Sequence, residues 1–294
     1  MAPWLPIRRR ALAFALLAAA GSSLALAAGA SADALTPESG GSPNADEIDS
    51  LYKLALYIAT FVFLAVEIAL VGFLVKYRYR RGALAAQIRG NTRLEIGWTV
   101  AAALILVVLT VVTFAKLNAI KDPAASSAGG LRTGAALYAS VDQPTVPGGR
   151  GLHICVNGQQ YLWRYTYARD CDDAAGAPFA YDTMVVPTET TVTLQIQAQD
   201  VIHSWWIPKL GGKFDAVPGY KNYTWFRIAR PAVYDGQCAE LCGRNHANML
   251  ARVKAVPPDE YERWLAAQKK DVDTANQAAA SQRRQLSPTS ASAG

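Results

Sequence analysis

Residues able to ligate metal are scarce in this chain of 294 residues, which has three histidines, four cysteines and three methionines. Three histidines cannot supply two haems and a copper ion together, and the absence of a CxxCH stretch excludes a covalently attached c-type haem. There is no glycine-rich nucleotide loop and no repeat of solenoid length. Acids number 23 against 29 Lys and Arg, for a formal charge of +6. Much of that excess sits in two clusters, Arg8–Arg10 and Lys76–Arg93, each beside an apolar run. Such clusters mark membrane topology, not a phosphate-binding face, so nucleic acid is not an expected partner.

What the chain has in quantity is apolar sequence, 51% of its residues, enough to bury a core as one main domain with accessories. Residues 1–32 read as a secretory signal, with Arg8, Arg9 and Arg10 before an alanine-rich apolar region and small residues at the cleavage sites. An uncleaved first transmembrane helix is the alternative. LALYIATFVFLAVEIALVGFLV (54–75) and IGWTVAAALILVVLTVVTFA (96–115) each supply the roughly 20 residues needed to cross a bilayer. Between them, KYRYRRGALAAQIRGNTRLE carries six Lys or Arg and one acid, which places this loop on the cytoplasmic side. The segment 33–50 and everything after residue 116 then lie outside, in the oxidising compartment. Glu67, midway along the first span, must face protein, water or a partner.

The expected order is a hairpin of two transmembrane helices over 51–118, a linker over 119–150 and an all-β domain over 151–270. The runs LHICV, QQYLWRYTY, TVTLQIQAQ, YTWFRIAR and ARVKAV alternate as half-buried strands do, which argues a sandwich or small barrel. PPDEYERWLAAQKK (257–270) reads as a closing helix, and 271–294 as a disordered tail. Cys155 and Cys171 flank the second run; in an exported domain they are candidates for a disulfide, with two free thiols as the alternative.

Four of the ten possible soft ligands fall within twelve positions, in GQCAELCGRNHANM (236–249): Cys238, Cys242, His246 and Met249. Thiolates and thioethers select copper or iron–sulfur, and imidazole suits copper or zinc. A mononuclear blue-copper site uses one thiolate and would leave the second idle. A dinuclear copper centre uses both as bridges, with one histidine for each ion, and so needs a histidine from elsewhere. His203, in QDVIHSWWIP after a strand, can supply it; His153, inside a strand, reads as an ordinary histidine.

QDVIHSWWIP, KFDAVPGY and GQCAELCGRNHANM together resemble the copper domain of subunit II of the haem–copper cytochrome c oxidases, and LEIGWT with the hairpin extends the likeness over about residues 50–265. The resemblance implies a cupredoxin-like sandwich holding two copper ions in a mixed-valence centre, with His203, Cys238, Cys242, His246 and Met249 as side-chain ligands. It implies Glu240 as a carbonyl ligand whose carboxylate joins a magnesium site facing subunit I, and Glu95 as the mouth of a proton path. The implied function is electron transfer from cytochrome c or a similar donor to subunit I, supporting dioxygen reduction coupled to proton translocation. The implied place is the cell (inner) membrane, among lipid and other oxidase subunits.

Two departures stand out. Where the family carries G-H-Q-W-x-W-x-Y this chain has GQQYLWRYTY, so electron uptake falls to Tyr161 with Trp163 as the second aromatic residue. Asp200 matches a donor-docking carboxylate, but its neighbour is Gln199, and acids and bases nearly balance over 121–270. Steering scales with charge asymmetry, so the expected encounter depends weakly on salt. A nitrous-oxide-reductase-like enzyme would need a further histidine-rich domain. A copper-delivery protein would hold its ion with fewer ligands, and a quinol-oxidase counterpart would lack the copper ligands altogether.

Overall fold

The computed structural model describes residues 36–78, 87–131 and 146–286. The expected signal region and most of the basic loop between the spans lie outside these residues. Two long helices, α1 (Pro43–Lys76) and α2 (Thr92–Lys121), form the hairpin. Ser42 and Pro43 open α1, and Lys76 lies in its last turn. At the start of α2 the Asn91 side chain accepts from the Leu94 N–H at 3.3 Å, while the Asn91 N–H donates to Glu95 Oε1 at 3.2 Å. This reciprocal capping holds the Glu95 carboxylate at the helix mouth. Both helices are long and apolar enough to cross a membrane and expose large side chains such as Phe61, Ile68, Leu106 and Phe114. Glu67 is half-buried.

The β domain is two five-stranded sheets. One has the order β3 (Phe179–Tyr181), β2 (Leu162–Thr166), β1 (Leu152–Gln159), β5 (Thr191–Ala198), β8 (Asn222–Arg227). The other runs β4 (Thr183–Pro187), β10 (Leu250–Val256), β9 (Ala232–Cys238), β6 (His203–Trp206), β7 (Phe214–Ala216). Alternation puts Ile154, Val156, Leu194 and Ile196 of the first sheet inside, against Met184, Val186, Trp205 and Val253 of the second. Trp205 donates its indole N–H to Tyr165 Oη at 3.2 Å, so this large side chain is buried with its polar atom satisfied. On the outer face of the first sheet, His153 and Cys155 point the same way, and Cys155 is disulfide-bonded to Cys171 in the loop that crosses them.

Several boundaries differ from the sequence reading. QQYLWRYTY is not one strand, because β1 runs through Gln159 and turns at Gln160 and Tyr161 into β2. Strands β3, β4, β6, β7 and β9 went unread; the first and fourth of these have three residues each, too few to show a period. The segment 119–150 is not a loose linker where it is described. Ser127 donates to the Glu189 carbonyl at 2.8 Å, Leu131 to Thr190 Oγ1 at 2.9 Å, and Thr191 Oγ1 to the Ala124 carbonyl at 2.6 Å. The span 33–50 is likewise partly helix, since α1 starts at Pro43 and Asn44 donates to the Trp225 carbonyl at 2.8 Å, while Trp225 Nε1 donates to the Ile120 carbonyl at 2.9 Å. The hairpin is therefore bonded to the sandwich from both of its helices.

The disordered tail is also corrected. Helix α3 (Pro258–Leu286) continues sixteen residues past 270. Its second half, DVDTANQAAASQRRQ, is rich in Ala, Gln and Arg, with no Gly or Pro to stop it before Pro288. Its first half docks through Tyr261, 1% exposed, and Trp264, whose ring lies 4.9 Å from Tyr167.

His153 gives the fold a pH dependence. Burial pushes its pKa down to about 4, partly opposed by the nearby Asp170 carboxylate. A folded-state pKa below the unfolded value of 6.5 gives stability that is complete above that value and is lost as pH falls through about 4. The loss is on the order of 3 kcal/mol. Melting of the detergent-solubilised chain at pH 7 and pH 4 should show a fall in Tm that His153→Gln reduces; an equal fall in both proteins would remove His153 as its source.

Candidate metal centre

β9 ends at Cys238 and β10 begins at Leu250, so the sequence between them is a loop clamped by two paired strands. The Cys238 N–H donates to the Met249 carbonyl at 2.9 Å and the Ala239 N–H to the Ser204 carbonyl at 2.8 Å, which ties the loop to β6. A 3₁₀ turn over His246–Asn248 and the Met249 N–H bonded to the His246 carbonyl at 3.1 Å bring His246 and Met249 to one side. His203 opens β6 and is fully buried.

These elements gather five side-chain donors. The two sulfurs are 4.0 Å apart. Cys238 Sγ lies 3.9 Å from His203 Nδ1, and Cys242 Sγ lies 3.6 Å from His246 Nδ1 and 3.9 Å from Met249 Sδ. The Glu240 carbonyl is 3.3 Å from Cys238 Sγ. Two ligands on one ion at bonds of ~2.2 Å and a tetrahedral angle sit about 3.6 Å apart, so the spacing is that of donors sharing ions. Cys238, Cys242, His203 and Met249 are each at most 4% exposed. The donor set therefore fits soft metal.

The surroundings fix the ligands. Asp200 Oδ1 lies 2.9 Å from His203 Nε2, so a proton on Nε2 leaves Nδ1 to face Cys238. The Asp200 carboxylate also accepts the Gln160 and Val201 N–H groups at 2.7 Å. Desolvation raises its pKa, but the bonds from His203, Gln160 and Val201 outweigh this and hold it below the usual value. Read from sequence as a docking carboxylate, Asp200 in the structure is bonded to the histidine. Burial first, and the neighbouring Cys238 second, push the Cys242 thiol up to about 11.

Gly158, Gln160 and Gly243 complete the frame and were missed by sequence reasoning. A Cβ on Gly158 would lie 3.0 Å from His203 Cδ2 and 3.1 Å from Trp163 Cζ3. Gly243 has φ +130°, and a Cβ there would meet Tyr161 Oη at 2.6 Å. Gln160 Nε2 donates to the Cys242 carbonyl at 2.6 Å. The available signal was the inward phase of Gly158 on its strand. Tyr161 is half-buried against the loop. Trp163 is fully buried and meets His203 edge-on with ring centroids 5.9 Å apart, so it is no surface contact: alternation along β2 turns it inward. Glu240 has an exposed side chain, and Glu95 stands at the start of α2, apart from this cluster.

Two apolar helices carrying a β-sandwich with a buried thiol–imidazole–thioether cluster define a membrane-anchored protein with a candidate soft-metal site. Residues 30–115 match the family described as cytochrome c oxidase subunit II, transmembrane domain, and residues 179–256 match its periplasmic domain. The chain is 33% identical over 245 residues to the probable cytochrome c oxidase subunit 2 of Rickettsia bellii, covering 78% of this chain and 82% of that one. It is 32% identical over 246 residues to cytochrome c oxidase subunit 2 of Alkalihalophilus pseudofirmus, covering 83% of this chain and 65% of the relative's length. Among solved structures, the periplasmic domain of subunit II of Bradyrhizobium japonicum cytochrome oxidase is 32% identical, with 41% of this chain and 95% of that chain covered and a TM-score of 0.38. The chain belongs to the cytochrome c oxidase subunit II family. It is an electron-transfer subunit of a haem–copper oxidase, associates with other oxidase subunits, and its family implies a copper centre.

Gly158→Ala should force the His203 and Trp163 rings to move by a few tenths of an ångström, costing about 1–3 kcal/mol. Metal bound per chain should fall together with Tm; full loading with unchanged Tm would mean that the site tolerates the methyl group.

Proposed function

We propose that this chain takes electrons one at a time at a dinuclear copper centre held by His203, Cys238, Glu240, Cys242, His246 and Met249, and passes them to the haem-bearing subunit I of a respiratory oxidase. The observation that carries this reading is the pairing of two sulfurs 4.0 Å apart, each with its own imidazole within 4 Å. One blue-copper ion would leave Cys238 or Cys242 without a role, and two ions leave none. When bound, the copper pair would supply a one-electron redox couple, held by these six residues.

The chain's own groups prepare that chemistry. Asp200 orients His203 through Nε2, Gln160 ties down the Cys242 carbonyl, and burial of the four ligands excludes water. Because the Cys242 thiol is protonated in the metal-free loop, loading with metal must release thiol protons and weaken as pH falls. Tyr161, half-buried with its hydroxyl against the loop, is the point of electron uptake. The donor is cytochrome c or a similar carrier that meets a nearly neutral face, so turnover depends weakly on ionic strength. The exposed Glu240 carboxylate joins a magnesium site at subunit I, and Glu95 receives protons for dioxygen reduction and proton translocation. The sandwich lies on the extracytoplasmic side, opposite the basic loop.

The copper-loaded full chain in detergent should contain two coppers and give a seven-line electron paramagnetic resonance spectrum, which Cys242→Ser abolishes. One copper with a four-line spectrum, or zinc alone, would overturn the dinuclear reading. In the assembled oxidase, Glu95→Gln should slow turnover several-fold while leaving that spectrum unchanged. Undiminished turnover would remove Glu95 from the proton path.

A further inference from the structure

A second set of soft ligands lies on the opposite end of β1 from the copper loop. His153 and Cys155 are two residues apart on that strand and share its outer face, while Cys171 arrives from the loop that crosses it. His153 Nε2 is 3.5 Å from Cys171 Sγ, and one ligand atom from each of the three residues lies within 4.8 Å of the others. The ring is held from its far side, with Nδ1 3.0 Å from Thr193 Oγ1 on the paired strand β5, so Nε2 is the nitrogen turned toward the sulfurs. His153 and Cys155 are 4% and 8% exposed, and Cys171 is half-exposed. A cavity of about 300 Å³ opens beside them, lined by His153, Tyr167, Arg169 and Tyr261. The buried Tyr261 hydroxyl has no hydrogen-bond partner among the described residues. The site is about 16 Å along the strand from Gly158, the residue under His203.

We propose that reduction of the Cys155–Cys171 disulfide converts it, with His153, into a three-coordinate site for one copper(I) ion. The reductant is a protein dithiol, and the half-exposed Cys171 is the sulfur it can reach. The disulfide accepts two electrons and two protons, its S–S bond breaks to give two thiols, and the dithiol is oxidised to its own disulfide. Copper(I) then displaces one proton from each thiol to solvent, forming two S–Cu bonds, while His153 Nε2 donates a lone pair. The metal does not change oxidation state. Two thiolates and an imidazole are a soft set that favours copper(I). The two thiolates leave the site with one net negative charge, beside a cavity lined by both Arg169 and Glu262 and with the Asp170 carboxylate near His153. None of these residues is shared with the loop at 238–249, so the site stands or falls apart from the electron-transfer centre.

The test uses the full chain in detergent carrying Cys238→Ser and Cys242→Ser, to silence the loop. It is treated with a phosphine and titrated with copper(I) against bicinchoninate. The expected result is one copper per chain after reduction and none before, weakened at least about tenfold by His153→Gln. X-ray absorption should show two sulfurs and one nitrogen around the ion. In the unsubstituted chain, whose loop is filled first, reduction should add one further copper, which guards against a background that fails to fold. No uptake once thiol titration shows Cys155 and Cys171 reduced would overturn the proposal. So would equal affinity in His153→Gln, a shell of sulfur alone, or a disulfide that resists the phosphine while the chain is folded.

Discussion

The metal end depends on holding two cysteine sulfurs 4.0 Å apart inside a folded domain with their imidazoles already in place. Two buried thiols gain little from each other, so the backbone must position them. Cys238 is the last residue of β9, its amide bonded to Met249 and its strand paired to β6 at Trp205. His203 opens that same strand, so one sheet supplies both the first thiol and the first imidazole. The second thiol, second imidazole and thioether follow on a loop too short to wander far between β9 and β10. Preorganisation of this kind is what a site needs if its geometry is to change little as charge moves.

That frame reaches back to the membrane. Asn44 at the start of α1 and Ile120 at the end of α2 both bond to Trp225, one at its carbonyl and one at its indole nitrogen. Residues 124–131 lie bonded along Thr190 and Thr191. Backbone that looks like spacer in sequence is thereby used to join hairpin and sandwich. An electron-transfer subunit gains from such a joint, because transfer to a partner in the membrane needs a fixed separation.

The parts of the fold that could be read early were those with a long period or an unusual composition. Two apolar runs of about 20 residues announced the helices. TVTLQIQA and LARVKAV announced themselves by alternation, whereas the seven-residue β9, AVYDGQC, did not, because Asp235, Gly236 and Gln237 leave it no sustained apolar period. Strands of three residues, FAY and FDA, did not, since their pairing is supplied by neighbours and not by their own pattern. The soft-ligand loop was legible because rare residue types crowd into twelve positions. Asp200 was legible as a carboxylate near the site but not as the group bonded to His203, because what it faces depends on where β5 ends and β6 turns back.

Residue types and local spacing thus determined on their own that this chain has a membrane hairpin, a β domain and a soft-ligand loop, because length, alternation and ligand chemistry are local properties. Only the tertiary structure decided which residues support the centre. Gly158 matters because a buried ring lies across it, Trp163 is an interior residue because β2 turns it inward, and His153 meets Cys171 because a loop folds over the outer face of β1. These are contacts between segments distant in sequence, and packing against a neighbour is a property that no stretch of sequence carries alone.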